Sequence, residues 1–370
     1  MMRANNVLGL VFSNNFDNYL NELTSMRSMG SVPYGGRYRL IDFNLSVMVN
    51  SGMGKVGIIT KSNYQSLMDH VGNGRAWDLS RKNGGLYILP PFNSANTGLY
   101  SGRIQAISGV MNFLQYSEEE YVLMCDCNAI YNFDLTKMFK YHEEKGADIT
   151  IAYAHGETPE ISELAVLDMD ADCKVNGVSR RLKEGVENYS INIVLMRKSL
   201  LERLINEAVS LGYHSFTEDI LKRNVAKLKI YGYEVPGFVK LLDSMQSFFE
   251  ANMALLDKEN RKEIFRSSAV YTKVKDDVPA IYGLGSDVSN SIVADGCVIE
   301  GKVENSILFR GVHIGKGAVV KNCVLMQNTY IGDDVQLNCV VSDKNVVIKP
   351  NKVLSGDEKF PVYIGKSIVI

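Results

Sequence analysis

The strongest constraint on the fold lies in the last quarter of the chain, where apolar residues recur at a nearly fixed spacing. They are five or six positions apart, and glycine or asparagine residues lie between them. The recurring residues are Ile292, Val298, Val303, Leu308, Ile314, Val320, Met326, Ile331 and Leu337. Such a repeat is typical of a parallel β-helix, in which each short strand turns one side chain to the axis. The spacing therefore predicts a β-helix, against the alternative of an irregular β-domain.

The first 250 residues follow a different pattern, in which short apolar runs alternate with amphipathic stretches. The apolar runs are residues 7–12, 56–60, 121–124, 148–153 and 191–196. This alternation predicts βαβ units, and hence an α/β domain with a doubly wound, mostly parallel sheet. Ligands of such sheets bind beyond the carboxyl ends of the strands. We therefore expect the loops after Phe12, Thr60 and Met124 to outline a pocket.

The composition changes between these two regions, which suggests the division into domains. Charged residues are dense from 258 to 263, as in an exposed helix or linker. We therefore predict an α/β domain over 1–254, a linker or helix over 255–280, and the β-helix over 281–370.

Charge and cysteine content exclude several classes of function. The chain has 40 Lys and Arg against 42 Asp and Glu, so it offers no broad basic field for nucleic acid or a membrane surface. Its six cysteines lack the paired spacing of metal sites, and we expect reduced thiols, with no role assigned to Cys125 and Cys127. The apolar run at 7–12 is too short for a signal peptide or a membrane span. We expect a cytoplasmic protein.

Residues 31–46 contain a candidate anion site. Gly35 and Gly36 suit a tight loop, and Arg37 and Arg39 follow at alternate positions. Guanidinium groups match the geometry of phosphate oxygens, so this arrangement is suited to an anion. The alternative is a solvated loop that leads into an ordinary helix.

Several segments resemble, in order, those of the ADP-glucose pyrophosphorylase (glucose-1-phosphate adenylyltransferase) family. Residues 32–43 read VPYGGRYRLIDF, close to the family's VPFGGKYRIIDF, and residues 247–253 read SFFEANM, close to SFWEANM. Further matches lie at residues 50–52, 70–72, 77–79, 85–91 and 305–311. The resemblance extends over essentially the whole chain. It implies a Rossmann-like nucleotidyltransferase domain followed by a left-handed β-helix, and synthesis of ADP-glucose and pyrophosphate from ATP and glucose 1-phosphate, for glycogen.

The chain departs from the family where the nucleotide should bind. The family has a glycine-rich GGxGxRL loop, whereas residues 12–17 read FSNNFD, without glycine or arginine. Side chains would fill the space of the nucleotide, and Asp17 would repel its phosphates. Met29 stands at the position of the catalytic lysine in the family's RAKPAVPF segment.

The resemblance also implies that the metal site is degenerate. Asn128 and Leu241 occupy the positions of the two aspartates that bind Mg²⁺ in the family, and Mg²⁺ requires hard oxygen ligands. Asp126 and Asp243 each lie two positions away and are the alternative ligands. The lysine that binds the sugar phosphate has no evident counterpart in residues 176–190. We therefore predict no metal and no catalytic residue, and Mg²⁺ only where a catalytic partner supplies the site.

This pattern is similar to that of the regulatory GlgD-type subunits of the family. It implies a non-catalytic or weakly active subunit, deficient in catalysis when alone, in a hetero-tetramer with a catalytic ADP-glucose pyrophosphorylase subunit. One alternative is an active sugar-1-phosphate nucleotidyltransferase that has rebuilt its metal site. A second is an acyltransferase, because hexapeptide coils often serve acyl-CoA chemistry, although His313 is the only histidine in the coil.

Four arginines are the candidates for binding an effector such as a phosphorylated sugar or a nucleotide. Arg37 occupies the basic position after the glycine pair that contributes to an effector site in catalytic relatives. Arg39, Arg103 and Arg310 are weaker candidates. For each, the alternative is an ordinary surface or structural ion pair.

Overall fold

The computed structural model describes residues 3–91, 100, 102–162, 164–180, 186–266 and 268–370. The strands of the amino-terminal region are β1 Val7–Phe12, β2 Pro33–Tyr34, β3 Tyr38–Arg39, β4 Lys55–Ile59, β5 Gly85–Leu89, β6 Tyr121–Asp126, β7 Ala129–Tyr131, β8 Ile149–Glu157, β9 Ala165–Met169, β10 Val175–Arg180, β11 Val186–Arg197, β12 Ile230–Glu234 and β13 Val239–Leu241. The helices are α1 Asn21–Thr24, α2 Leu40–Asn50, α3 Gln65–Val71, α4 Arg103–Gly109, α5 Met111–Gln115, α6 Leu135–Glu144, α7 Lys198–Ser210, α8 Met245–Met253 and α9 Lys258–Arg266.

The main sheet has the strand order β10-β9-β11-β6-β1-β4-β5, with β8 on β11 and β12 on β8. Its centre is parallel, since β1 runs alongside β4 and β6, and β4 alongside β5. These strands are apolar throughout because both faces of the sheet are covered. The Rossmann-like α/β fold is confirmed. The sheet is mixed rather than mostly parallel, because β11 runs antiparallel to β6, β8 and β9.

The carboxyl-terminal region is a left-handed parallel β-helix, as predicted. Its strands are β14 Ile281–Tyr282, β15 Asp287–Ser289, β16 Ile292–Val293, β17 Val298–Ile299, β18 Lys302–Glu304, β19 Ile307–Leu308, β20 His313–Ile314, β21 Val319–Lys321, β22 Val324–Leu325, β23 Tyr330–Ile331, β24 Gln336–Asn338, β25 Val340–Ser342, β26 Val347–Ile348, β27 Val353–Ser355 and β28 Val362–Ile364. They form three parallel sheets in which every third strand pairs. Asn305 and Asn322 turn corners in the left-handed region, at φ of 47° and 50°, where asparagine is tolerated better than most residues.

One sheet of the β-helix packs on the amino-terminal domain, which corrects part of the prediction. Leu308, Ile314 and Val320 are buried in the core of the β-helix, as the repeat indicates. Met326 belongs instead to the hydrophobic cluster of the amino-terminal domain, and Ile292 packs against that cluster. The repeat cannot separate these cases, because an outward-facing position is as apolar as an inward one when another domain covers it.

The segment between the domains is anchored to the amino-terminal domain. The Asn132 side chain donates hydrogen bonds to the carbonyls of Ile264 and Ser268, at 2.7 and 2.8 Å. The Phe265 ring in α9 stacks on Tyr38, with centroids 5.2 Å apart. Within the described residues, no helix is both long and apolar enough to span a bilayer.

Candidate functional site

A cavity of about 690 Å³ opens at the carboxyl ends of the central strands. The loops after β1, β4 and β6 contribute Asn14 to Tyr19, Lys61 to Asn63, and Asp126 to its lining. This confirms the predicted position of the pocket. The start of α4 and residues 214–217 close the opposite side.

Asn14 and Asp17, in the loop after β1, have hydrogen-bond partners within the protein. Asp17 Oδ1 accepts a hydrogen bond from the Met29 backbone N–H at 2.8 Å, and Asp17 Oδ2 accepts one from Asn14 Nδ2 at 2.7 Å. Asn14 Oδ1 accepts the Lys61 backbone N–H at 2.9 Å. Backbone N–H groups are the usual cradle of phosphates, and here two of them already bond to side chains. Burial raises the pKa of Asp17 to about 6, so at neutral pH it adds negative charge to the pocket.

Asp126 and Arg103 form a second self-contained pair in the cavity. The Arg103 guanidinium donates to Asp126 Oδ2, and Asn15 Nδ2 donates to Oδ1 at 2.8 Å. The guanidinium also lies over the rings of Phe12 and Phe216, 5.1 and 5.3 Å from their centroids. Burial raises the pKa of Asp126, while Arg103 opposes that rise. Arg103 is thus committed to a carboxylate.

The structure places Asn128 and Leu241, the positions that the family resemblance assigns to a metal, side by side. Leu241 pairs with Ala129 between β13 and β7, and the Asn128 carbonyl accepts the Leu242 N–H at 2.7 Å. Asn128 and Leu241 are both buried, and Leu241 lies in the hydrophobic core. One amide oxygen beside a leucine does not fit Mg²⁺, which prefers several hard oxygen ligands.

The alternative ligands are not brought together around this position. Strand β6 ends at Asp126 and residues 127–128 form a bend, so the alternation that would align Asp126 with Asn128 is interrupted. Asp243 Oδ2 accepts the Glu160 backbone N–H at 2.6 Å, in a different loop. The described residues contain no cluster of three or more metal-ligating side chains.

Met29 is buried in the core of the domain, with 1% of its surface exposed, so no cation is available at that position. The absence of a counterpart of the sugar-phosphate lysine in residues 176–190 stays a prediction, because residues 181–185 lie outside the described part of the chain.

A second polar site lies between the two domains. Arg27 pairs with Asp343 of the β-helix, with Nη2 to Oδ2 at 2.8 Å and both side chains 4% exposed. Arg39 donates to the Ser66 carbonyl and hydroxyl at 2.6 and 2.9 Å. Lys344 is half-buried, and burial together with Arg39 and Arg27 lowers its pKa to about 7. Arg27 and Lys344 were missed by the sequence analysis, since no local motif marks them.

Arg310 belongs to the same corner of the β-helix. The strand register stacks Asp295, Arg310, Gln327 and Lys344 on successive coils, two residues beyond paired strand positions. Arg310 Nε is 3.9 Å from Asp295 Oδ2, and in the described structure Nε and Nη2 are buried without a hydrogen-bond partner. Gln327 Oε1 and Arg27 Nη1 are also buried and unpartnered there. We call Arg27, Arg39, Arg310 and Lys344 the interdomain basic cluster.

Arg37 lies at the edge of this interface. It is exposed on the turn between β2 and β3, and its guanidinium is 5.8 Å from the centroid of the Tyr38 ring. Gly36, at φ of 86°, faces Ile292 and Leu308, so the turn lies against the β-helix. The structure therefore brings Arg39 and Arg310 to one interface, with Arg37 at its margin, and leaves Arg103 in the cavity.

Comparison with known proteins identifies the family. Residues 18–258 match the nucleotidyl transferase family, and residues 281–360 match the GlmU-like C-terminal hexapeptide family. The chain is 35% identical over 369 residues to the glycogen biosynthesis protein GlgD of Bacillus subtilis, covering 100% of this chain and 98% of that protein. It is 36% identical over 310 residues to the glucose-1-phosphate adenylyltransferase of Geobacillus stearothermophilus, covering 82% and 80%. It is 32% identical over 376 residues to that of Clostridium perfringens strain SM101, covering 100% and 97%. The chain belongs to the glucose-1-phosphate adenylyltransferase family of nucleotidyl transferases, with the GlgD-type proteins.

Proposed function

We propose that this chain is a non-catalytic or weakly active regulatory subunit that works with a catalytic glucose-1-phosphate adenylyltransferase in glycogen biosynthesis. The observation that carries the proposal is the pair Asn128 and Leu241, buried side by side where the family resemblance implies two magnesium-binding aspartates. Phosphoryl-type transfer depends mainly on positioning and on neutralising phosphate charge. Both requirements fail in this cavity.

The size of the defect supports a loss of turnover. Removing one preorganised stabilising group typically costs about 10²–10³ in rate. Asp17 lies on the loop that lines the described cavity, while Met29, Asn128 and Leu241, at the positions of the lysine and the two metal-binding aspartates, are buried and do not line it. Even with strong non-additivity, these changes would remove most of a catalysed rate.

The chain retains the fold of the family, and we assign the regulatory role to the interdomain basic cluster. Arg27 faces Asp343 and Arg310 faces Asp295, while Arg27 and Arg39 also act on Lys344, so this interface holds four cations and two separate carboxylates. Buried donors without partners are costly, and an anion would satisfy them. We propose a phosphorylated sugar or a nucleotide as the effector, with Arg37 at the rim of the site.

The test of the subunit role is ADP-glucose synthesis by the purified chain, by a catalytic partner chain, and by the two mixed. We expect negligible Mg²⁺-dependent synthesis by this chain alone, and a changed turnover or effector response in the mixture, with a hetero-tetrameric mass. Robust synthesis by the isolated chain would refute the proposal, as would a mixture that behaves as the sum of its parts.

The alternative of a rebuilt active site makes an opposite prediction. If the isolated chain were active through Asp126 and Asp243, replacing both by Asn would abolish synthesis. In the mixed subunits, we expect the replacement of Asp126 and Asp243 by Asn to leave the partner's turnover unchanged, since Asp126 is neutralised by Arg103 and Asp243 bonds to another loop.

The effector site is tested by titrating the mixed subunits with inorganic phosphate and with a sugar bisphosphate. Lys344→Gln should weaken the response by about tenfold, because one charge-assisted contact is lost. Lys349→Gln, an exposed lysine on the same coil, is the matched control and should leave the response unchanged. An equal response in both variants would refute this site.

A further inference from the structure

We propose that the cavity at the carboxyl ends of the strands binds a neutral oligosaccharide, a ligand class distinct from the ATP and sugar phosphate handled by catalytic relatives. This inference concerns the cavity alone and does not depend on the regulatory role. It rests on three observations: the balance of charges, the polar groups without partners, and the aromatic rings.

Every charged side chain that lines the described cavity faces an opposite charge. Arg103 pairs with Asp126, and Arg180 Nε is 3.6 Å from Glu218 Oε1. Lys61 acts electrostatically on Asp17. A triphosphate needs cations that are free to meet its charge, whereas each of the three cations in this lining, Lys61, Arg103 and Arg180, already faces a carboxylate. The balance therefore favours a neutral ligand.

The lining is rich in amide and hydroxyl groups that remain available. Asn192 Nδ2 is buried and has no hydrogen-bond partner in the described structure. The side chains of Asn18, Asn21 and Thr217 also line the cavity and make no hydrogen bond with protein groups among the described residues. An unpartnered buried amide is costly, so a ligand oxygen at this position would be stabilising. Amides and hydroxyls both donate and accept, as the hydroxyl groups of a sugar require.

Aromatic side chains line the same space. Phe16, Tyr19, Tyr100 and Phe216 contribute to the cavity wall. The ring centroids of Phe16 and Tyr19 are 5.9 Å apart, and the Tyr19 hydroxyl forms a hydrogen bond with Ser162 Oγ at 2.9 Å. Rigid rings offer apolar contact area for the C–H faces of a sugar at low entropic cost. The volume of about 690 Å³ lies within the usual range for sites that enclose a small organic molecule.

The test is calorimetric titration of the full chain with maltotriose, and separately with ATP and glucose 1-phosphate. Asn192→Asp removes the buried N–H donor and keeps a residue type that tolerates φ of 64°. Asn351→Asp, at φ of 62° on the exposed end of the β-helix, is the matched control. We expect saturable binding of maltotriose that weakens by about tenfold in Asn192→Asp only.

Phe16→Leu provides a second variant that keeps apolar volume and removes the ring, with Phe360→Leu as its exposed control. It should also weaken maltotriose binding, while thermal unfolding verifies that the variants are folded. The proposal fails if maltotriose gives no saturable heat in the millimolar range. It also fails if both cavity variants bind as the native chain does, or if ATP binds more tightly than maltotriose and is weakened by the same variants. None of these outcomes bears on the turnover of mixed subunits, so the two proposals are refuted separately.

Discussion

The ion pair between Arg27 and Asp343 joins the two domains, and removing one partner should be strongly destabilising. The residues are 316 positions apart, and each side chain is 4% exposed. Replacing Asp343 by Asn would leave Arg27 facing Arg39 and Lys344 with no compensating carboxylate. Breaking a buried pair from one side typically costs about 3–5 kcal/mol. We expect Asp343→Asn to lie near the upper end of that range, because the carboxylate also accepts the Lys344 backbone N–H and the Tyr363 hydroxyl.

A double variant distinguishes the loss of the ion pair from the cost of leaving one buried charge without a partner. Arg27→Met with Asp343→Leu removes both charges and supplies apolar side chains next to the hydrophobic cluster of the amino-terminal domain. Replacing a buried pair by apolar residues is often neutral or stabilising. The double variant should therefore lose less stability than Asp343→Asn alone. In the cycle formed by Arg27→Met, Asp343→Leu and the double variant, the coupling energy should exceed about 2 kcal/mol.

The assay is denaturant unfolding followed by the fluorescence of Trp77, which is buried in the amino-terminal domain. Asp172→Asn is the control, because it removes the partner of Lys145 in a surface pair and should change the free energy of unfolding by less than about 1 kcal/mol. Added phosphate should recover part of the loss in Asp343→Asn, since the cations left without a carboxylate would then bind it. An Asp343→Asn variant as stable as the Asp172→Asn control would refute the reasoning.

Three further predictions concern Lys344, the pair of Arg103 with Asp126, and Gly301. Lys344 has a folded pKa of about 7, well below its unfolded value of 10.5. Between these pH values the unfolded chain binds more protons than the folded chain, so the free energy of unfolding should rise with pH across that window. A pH series of unfolding midpoints should show this rise in the native chain and not in Lys344→Met. Arg103→Leu leaves the buried Asp126 carboxylate without its cation and should lower the free energy of unfolding by about 3 kcal/mol or more at neutral pH. Adding Asp126→Asn should recover part of that loss, and an equal loss in the double variant would contradict the pairing. Gly301→Ala would place a Cβ 2.5 Å from the Ala318 carbonyl oxygen of the next coil, so it should lower the free energy of unfolding in denaturant by more than about 1 kcal/mol. Gly109→Ala, where nothing lies within 4 Å and φ is not positive, is the control and should not lower it.

Part of the candidate site was predicted from the sequence. The pocket was predicted because apolar runs mark buried strands, and parallel strands align their carboxyl ends at one edge. The assignment of Asn128 and Leu241 to metal positions stays a prediction from the resemblance, and the pairing of β7 with β13 brings these two residues side by side. The pairing of Arg103 with Asp126 was not predicted, because the two residues are 23 positions apart and no local pattern marks one as the partner of the other.

The sequence by itself determined the α/β domain and the β-helix, since periodicity and burial of apolar residues are local properties that each segment carries. Only the tertiary structure decided the direction of β11 in the sheet, which depends on connections rather than on apolar pattern. It also decided that Met326 faces the neighbouring domain and that Arg27, Asp343 and Lys344 meet there. These contacts join residues hundreds of positions apart, and a charged residue in a sequence has no local feature that specifies its partner.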